Sequence, residues 1–197
     1  MTERGVEAGF SLVEMIVSFA ILLLLFTGVA SFLIQSSQAN TADQMAVTIQ
    51  SDARSSLGII ANVLRSAGWD PRNAGIAAVG LDPTPTGTDN YIEVFADLNE
   101  DGDTLDPGED VTIRHHANRL EWRRTYDTAQ PFETLSEDVT DDADGDGVIE
   151  PLFTPDSTTS PTRITVKITT RSPVPDPRSG QYLRCTVTSD VVLRTSL

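Results

Sequence analysis

Cysteine is almost absent from this sequence. Cys185 is the only one in 197 residues. No intramolecular disulfide can form, and no Cys-rich metal site can be built. Flanked by Leu183 and Val187 in a strand-like run, Cys185 reads as a small buried hydrophobe. Histidine is nearly as scarce, with only His115 and His116. Adjacent residues of a strand point to opposite faces, so the two make a poor chelating pair and read as solvated strand residues. Basic residues are few, and the formal net charge is -15. Between Asp70 and Ser160 there are 22 acidic residues against 5 Arg and no Lys. Phosphate binding needs clustered Lys and Arg, so nucleic acid is excluded as a partner. The first 69 residues carry five acids and three Arg. A near-neutral apolar arm is thus joined to an acidic, polar domain. The sequence also lacks a nucleophile elbow, zinc-ligand spacing and a phosphate loop. Carboxylates are abundant but in no catalytic arrangement, so an enzyme is not expected.

The informative segment is the long apolar run from Phe10 to Ile34, 25 residues with a single charge, Glu14. As a helix it reaches roughly 37 Å, enough to cross a hydrocarbon core of about 30 Å. A secretory signal peptide has a shorter core and a small-residue cleavage site after it. Here the chain continues as QSSQANTADQMAV, which is still helix-compatible. Glu14 costs a few kcal/mol in this setting unless it finds a partner. A cut before Phe10 would free an α-amine about one helical turn away. That amine, from the same chain or a neighbour, could supply the cation and select an assembly register.

The stretch Gly9-Phe10-Ser11-Leu12-Val13-Glu14 followed by the apolar run resembles the prepilin peptidase site of type IV pilins and type II secretion pseudopilins. The resemblance implies cleavage between Gly9 and Phe10 by a membrane peptidase. It also implies N-methylation of Phe10 and a role for Glu14 in assembly. Two features depart from the commonest pattern. The leader has only Arg4 as a cation, beside Glu3 and Glu7, and no proline precedes Pro71. The missing proline points to a minor component.

Beyond the apolar run, Met45, Ile49, Ala53, Leu57, Ile60, Leu64 and Ala67 recur at spacings of three and four, which places them on one helical face. Gln44, Thr48, Asp52, Ser56 and Asn62 lie between them as the polar set. Gly68 can end the helix in a left-handed cap, and Asp70-Pro71 stops it. A helix over 10–67 would measure roughly 87 Å. Its end, Leu64-Arg65-Ser66-Ala67-Gly68-Trp69, is similar to the same region of PilW-type minor pilins and pseudopilin J, and the final run Val191-Val192-Leu193-Arg194 resembles the PilW-type terminus.

The rest reads as β structure. Strands are expected over 91–96, 111–114, 120–126, 163–170 and 182–193, from β-branched and aromatic runs bounded by Gly, Pro, Asp and Asn. The Pro-rich stretches DPTPTG and RSPVPDPRSG read as loops. The expected organisation is a leader over 1–9, a transmembrane half-helix over 10–34, an amphipathic half over 35–68 and an acidic β-rich domain over 69–197. The fold class is α+β and pilin-like, with the long helix packed on antiparallel sheet.

Two acidic loops resemble each other. One carries Asp97, Asn99, Asp101, Gly102, Asp103 and, further on, Glu109. The other carries Asp142, Asp144, Asp146, Gly147 and Glu150. Both begin with the D-x-[DN]-x-[DN]-G core of a calcium loop, in which alternate oxygens converge on a hard cation. The bidentate Glu belongs at the twelfth position. Counting from Asp97 that position is Gly108, one place before Glu109; counting from Asp142 it is Phe153. Asp-rich turns in solvent are the competing reading. Calcium, in a structural role, is the candidate cofactor.

These expectations describe a minor pilin. It would be processed by prepilin peptidase and held in the bacterial inner membrane by one span, with its C-terminal domain periplasmic. From there it would pass into a pilus or to the cell surface, partnered through its helix by other pilins and minor pilins. The alternatives are a minor pseudopilin of type II secretion and a calcium-dependent, membrane-anchored binding module.

Overall fold

The computed structural model describes residues 11–81 and 90–194. Gly9 and Phe10, and the loop expected at DPTPTG, lie outside them.

One helix, α1 (Leu12–Ser66), is 55 residues long and so extends about 82 Å. Its two halves meet different surroundings. From Leu12 to Ile34 the large apolar side chains are exposed. Two hydroxyls in this stretch are satisfied inside the helix: those of Ser18 and Thr27 donate to the carbonyls of Glu14 and Leu23, each at 2.8 Å. Hydrocarbon demands such internal pairing, because it offers no water to hydrogen-bond. In the second half Ala42, Ile49, Ala53, Ile60, Ala61 and Leu64 are buried, with Leu57 packed beside them. This is the expected stripe. One correction concerns Ser56, assigned above to the polar side and here buried. Its side chain is small enough for close contact between helix and sheet.

The helix ends as its sequence dictates. Gly68 has φ 75, a left-handed conformation that glycine adopts without strain. Its N–H donates to the Phe95 carbonyl at 2.9 Å. The Asp70 carboxylate then closes the following turn by accepting the N–H groups of Ala74 and Gly75, each at 2.8 Å, and of Ile76 at 3.2 Å. These bonds, led by the one from Ala74, hold its pKa below the usual carboxylate value against the opposing effect of burial.

The strands form two antiparallel sheets. The first contains β1 (Val79–Leu81), β2 (Asn90–Phe95), β3 (Asp110–His116), β4 (Arg119–Arg123) and β5 (Glu133–Ser136), in that order. The second contains β6 (Val139–Thr140), β7 (Phe153–Pro155), β8 (Arg163–Arg171) and β9 (Arg184–Val192). Here β8 pairs with β9 along its length, and with β6 and β7 at separate registers. The second sheet carries the main packing with α1. The hydroxyl of Thr170 on β8 donates to the Ile49 carbonyl at 2.7 Å in a buried contact. One core joins Ile60 and Leu64 to Ile92, Val94, Ile113 and Leu120 of the first sheet and Ile164, Val166 and Ile168 of the second. Each inward residue alternates with an outward one, as the pleat requires.

Two strand-level expectations need revision. The strand expected over 120–126 stops at Arg123, and the one expected over 182–193 begins at Arg184 and ends at Val192. The histidines divide as a strand pair should, but His115 points into the core and only 3% of it is exposed. It is therefore not a solvated residue. Cys185 on β9 is free and half-buried.

On the first sheet, Glu93, Thr112 and Arg123 stand opposite one another across β2, β3 and β4, with Asp110 at the start of β3. Burial raises the pKa of Glu93, the charge of Asp110 raises it further, and Arg123 offsets part of the rise. Burial likewise raises Asp110, again opposed by Arg123. A carboxyl whose folded pKa lies above its unfolded value is protonated at no cost at low pH. It becomes destabilising as pH rises from the unfolded value through the folded one. Glu93→Gln is therefore expected to raise the melting temperature at neutral pH, and the difference from wild type should vanish near pH ~4. Thermal melts across that range check it; an equal offset at every pH would rule out ionisation as the cause.

Candidate functional site

Glu14 sits in the first turn of α1, on the exposed apolar half. Its side chain meets no cation among the described residues. The helix N-terminus itself favours a carboxylate there through its dipole. The geometry leaves the carboxylate available to a partner outside the described residues.

The first acidic loop joins β2 to β3 and is anchored to the end of α1. The Asp97 N–H donates to the Trp69 carbonyl at 2.8 Å, and the Ala96 N–H to the Glu109 carbonyl at 2.9 Å. The Arg72 guanidinium donates to the Asp101 carbonyl at 3.0 Å. Side chains then fold the loop on itself. Asp97 is fully buried, and its two oxygens accept the N–H groups of Asp101 and Gly102, each at 3.0 Å. Asn99, Asp101 and Asp103 each accept the N–H two residues on. Such turns are what Asx side chains offer a backbone that forms neither helix nor strand. Glu109 is also buried, and its Oε1 accepts from Leu98 at 2.8 Å and Asn99 at 3.0 Å.

This folding draws carboxylate oxygens of Asp101, Asp103, Asp106 and Glu109 to within 4.8 Å of one another. Asp97 is not in that set. The Asn99 amide bridges it from one side, donating to Asp101 at 3.0 Å and Asp106 at 2.6 Å. Asp101 has a lowered pKa, chiefly through the Asp103 N–H and then the Asn99 amide. The charged form of Asp101 is thus favoured although other carboxylates crowd around it. An all-oxygen set of this kind suits a hard cation such as Ca²⁺. Asp106 was missed by the sequence reading because it is the tenth residue from Asp97, a position that the twelve-residue template leaves unused. Counting every carboxylate in the loop would have found it.

The second loop, between β6 and β7, gathers less. Asp142, Asp144 and Asp146 have oxygens within 4.8 Å. Each accepts a backbone N–H of the loop, from Gly145 at 2.6 Å, Asp146 at 3.1 Å and Val148 at 2.7 Å. Glu150 is directed elsewhere: its Oε2 pairs with Lys167 Nζ of β8 at 2.6 Å. Arg184 lies 3.9 Å from Asp142 and packs against Gly145. With a guanidinium already beside it, this cluster is less suited to a cation than the first.

One comparison with known families finds a match, and it falls on the N-terminal segment. Residues 4–30 match the family model of the prokaryotic N-terminal methylation motif. The match supports a type IV pilin-like protein, with processing by prepilin peptidase and assembly with pilins in general. An exposed apolar helix behind that motif fits membrane anchoring of a pilin. No curated protein and no solved structure matches the chain. The family of this motif is structural rather than catalytic in character.

Proposed function

We propose that this chain is a minor pilin, an initiating or structural subunit of a type IV pilus. The observation that carries the reading is the division of α1. Its first half, most of it within the methylation-motif match, exposes every large apolar side chain, while its second half buries one apolar stripe against the acidic domain. The exposed half serves first as a membrane anchor and then as the surface that packs against other pilins. The domain faces the periplasm and later the outside of the filament. The similarity of the helix end and the last strand to PilW-type pilins favours the pilus over the secretion pseudopilus. Mass spectrometry of the protein from its own membranes is the test. A mature chain beginning at methylated Phe10 is expected. Retention of Gly9 and the residues before it, or trimming on the far side of the membrane, would overturn the reading.

A second reading is favoured by the converging carboxylates of the first loop: the domain takes up a structural Ca²⁺ there, coordinated by Asp101, Asp103, Asp106 and Glu109. The ion would neutralise like charges and fix the turn. At calcium about a hundredfold above Kd, stabilisation by about 2.7 kcal/mol is expected. Calorimetric titration of the full chain in detergent, with Asp103→Asn as the comparison, reads it. A heat of binding that persists unchanged in the variant would place the ion elsewhere, and no heat in wild type would remove the cofactor.

A further inference from the structure

We propose that His115 is a proton-operated latch between the two sheets. The ring belongs to β3 of the first sheet, yet its contacts lie in and just after β6 of the second. Nε2 is 3.0 Å from the Val139 carbonyl, and Nδ1 is 3.5 Å from Asp141 Oδ2. A carbonyl oxygen only accepts, so Nε2 carries the proton and the Nε2–H bond forms in either charge state. The variable atom is Nδ1. In the neutral ring it is a bare lone pair facing a carboxylate, two acceptors with no hydrogen between them. It has no hydrogen-bond partner in that state although the residue is almost wholly buried. Adding a proton at Nδ1 turns this contact into an ion pair, which draws the two groups together toward a charge-assisted hydrogen bond.

The surroundings give the proton no competing destination. From β2 the residue opposite the ring is Asn90, uncharged, whose amide nitrogen is also buried without a partner. From β4 it is Leu120. From β6 comes the Val139 carbonyl. Among the described residues, Asp141 is the ionisable group within ion-pair distance of the ring. Histidine is the side chain whose unperturbed protonation falls in the physiological range.

The latch holds more than one contact. Asp141 opens the second acidic loop, and its carbonyl accepts the N–H of Glu150, at the loop's other end, at 2.8 Å. Glu150 is tied in turn to Lys167 on β8. Fixing the Asp141 side chain to β3 therefore closes the base of the loop against both sheets. Loss of the Nδ1 proton frees it, so the order of this loop follows external pH.

The test uses the full chain in detergent micelles with a chelator present, so that divalent cations play no part. Nitrogen-detected NMR of the imidazoles is expected to show Nε2 protonated throughout and Nδ1 gaining its proton as pH falls from about 8 to about 5. With two histidines in the sequence, His115→Gln assigns the signals. Over the same range, the exchange protection of the Glu150 amide, corrected for intrinsic rate, should rise at least about threefold in wild type. In Asp141→Asn, a shape-preserving change at a partly exposed site, it should stay constant. A His115 ring that holds one protonation state throughout overturns the proposal. So does an equal pH response of Glu150 in wild type and Asp141→Asn.

Discussion

Replacing Glu14 by valine is expected to leave the protein in the membrane and remove it from filaments. The two outcomes separate because they depend on different properties of one side chain. Insertion depends on the apolar run, and a carboxylate opposes insertion by about 3 kcal/mol at mid-span and by less near a helix end. Valine therefore inserts at least as well. Assembly on the proposed reading depends on pairing the carboxylate with a freed α-amine of Phe10, on the same chain or a neighbour. Among the described residues Glu14 meets no cation that would substitute for this pairing. Losing it removes the charge that selects the register and leaves the amine unpaired in a low-dielectric setting. Truncating one partner of a buried pair costs about 3–5 kcal/mol. Each 1.4 kcal/mol is about tenfold in an equilibrium, so incorporation should fall at least about a hundredfold. Glu14→Asp keeps the charge on a shorter arm and should retain part of the activity. Quantitative immunoblots of membrane and sheared-filament fractions read both outcomes. Normal incorporation of Glu14→Val would leave the pairing argument without support.

What the sequence makes legible depends on how many residues share one signal. The helix was readable from end to end because more than fifty residues agree, first in apolar content and then in a three-and-four spacing. Its stop was readable because Gly68 and Pro71 act locally. The longer strands, β2, β3, β8 and β9, were readable from β-branched runs. The short ones were not. Strands such as β1, β6 and β7 run to two or three residues, too few to show alternation, and they exist because a longer neighbour pairs with them. The same distinction holds at the candidate sites. The Gly9-Phe10-Glu14 register is a local pattern and is read directly. In the acidic loops the residue types were legible, but which carboxylates converge is decided by backbone turns. Asp97 turns inward to cap its own loop, Glu150 goes to Lys167, and Asp106 swings into the cluster. His115 was misread for a related reason. A lone polar residue in a strand carries no sign of which face is buried until the second sheet is in place.

Gly68→Ala is expected to be the most damaging single substitution in the folded domain, although it adds only one methyl group. Two costs combine. The residue has φ 75, where an L side chain is disfavoured by about 1–2 kcal/mol. The new Cβ would also run into the Arg194 carbonyl oxygen and sit 3.0 Å from the Ala78 Cβ. The first obstacle is backbone, so relief requires moving the last described segment away from the helix end. That movement also disturbs the Arg194 guanidinium, stacked 4.4 Å above the Trp69 ring. It strains the two bonds that seat the helix end on the sheet and first loop, Gly68 N–H to Phe95 and Asp97 N–H to Trp69. Strain from over-packing adds about 1–3 kcal/mol to the conformational cost. A total of about 3 kcal/mol is a large share of the stability of an ordinary domain. Gly58→Ala is the control. Gly58 lies within α1 itself, and nothing stands within 4 Å of its added Cβ. There alanine should be neutral or stabilising by up to about 1 kcal/mol through helix propensity. Denaturant titration of both variants in the same detergent compares them directly. If both shift the midpoint alike, the helix end is not seated on the Arg194 backbone as described. If only Gly68→Ala falls, the close approach of these two chain segments is what the Ala-Gly-Trp end of the helix is built to allow.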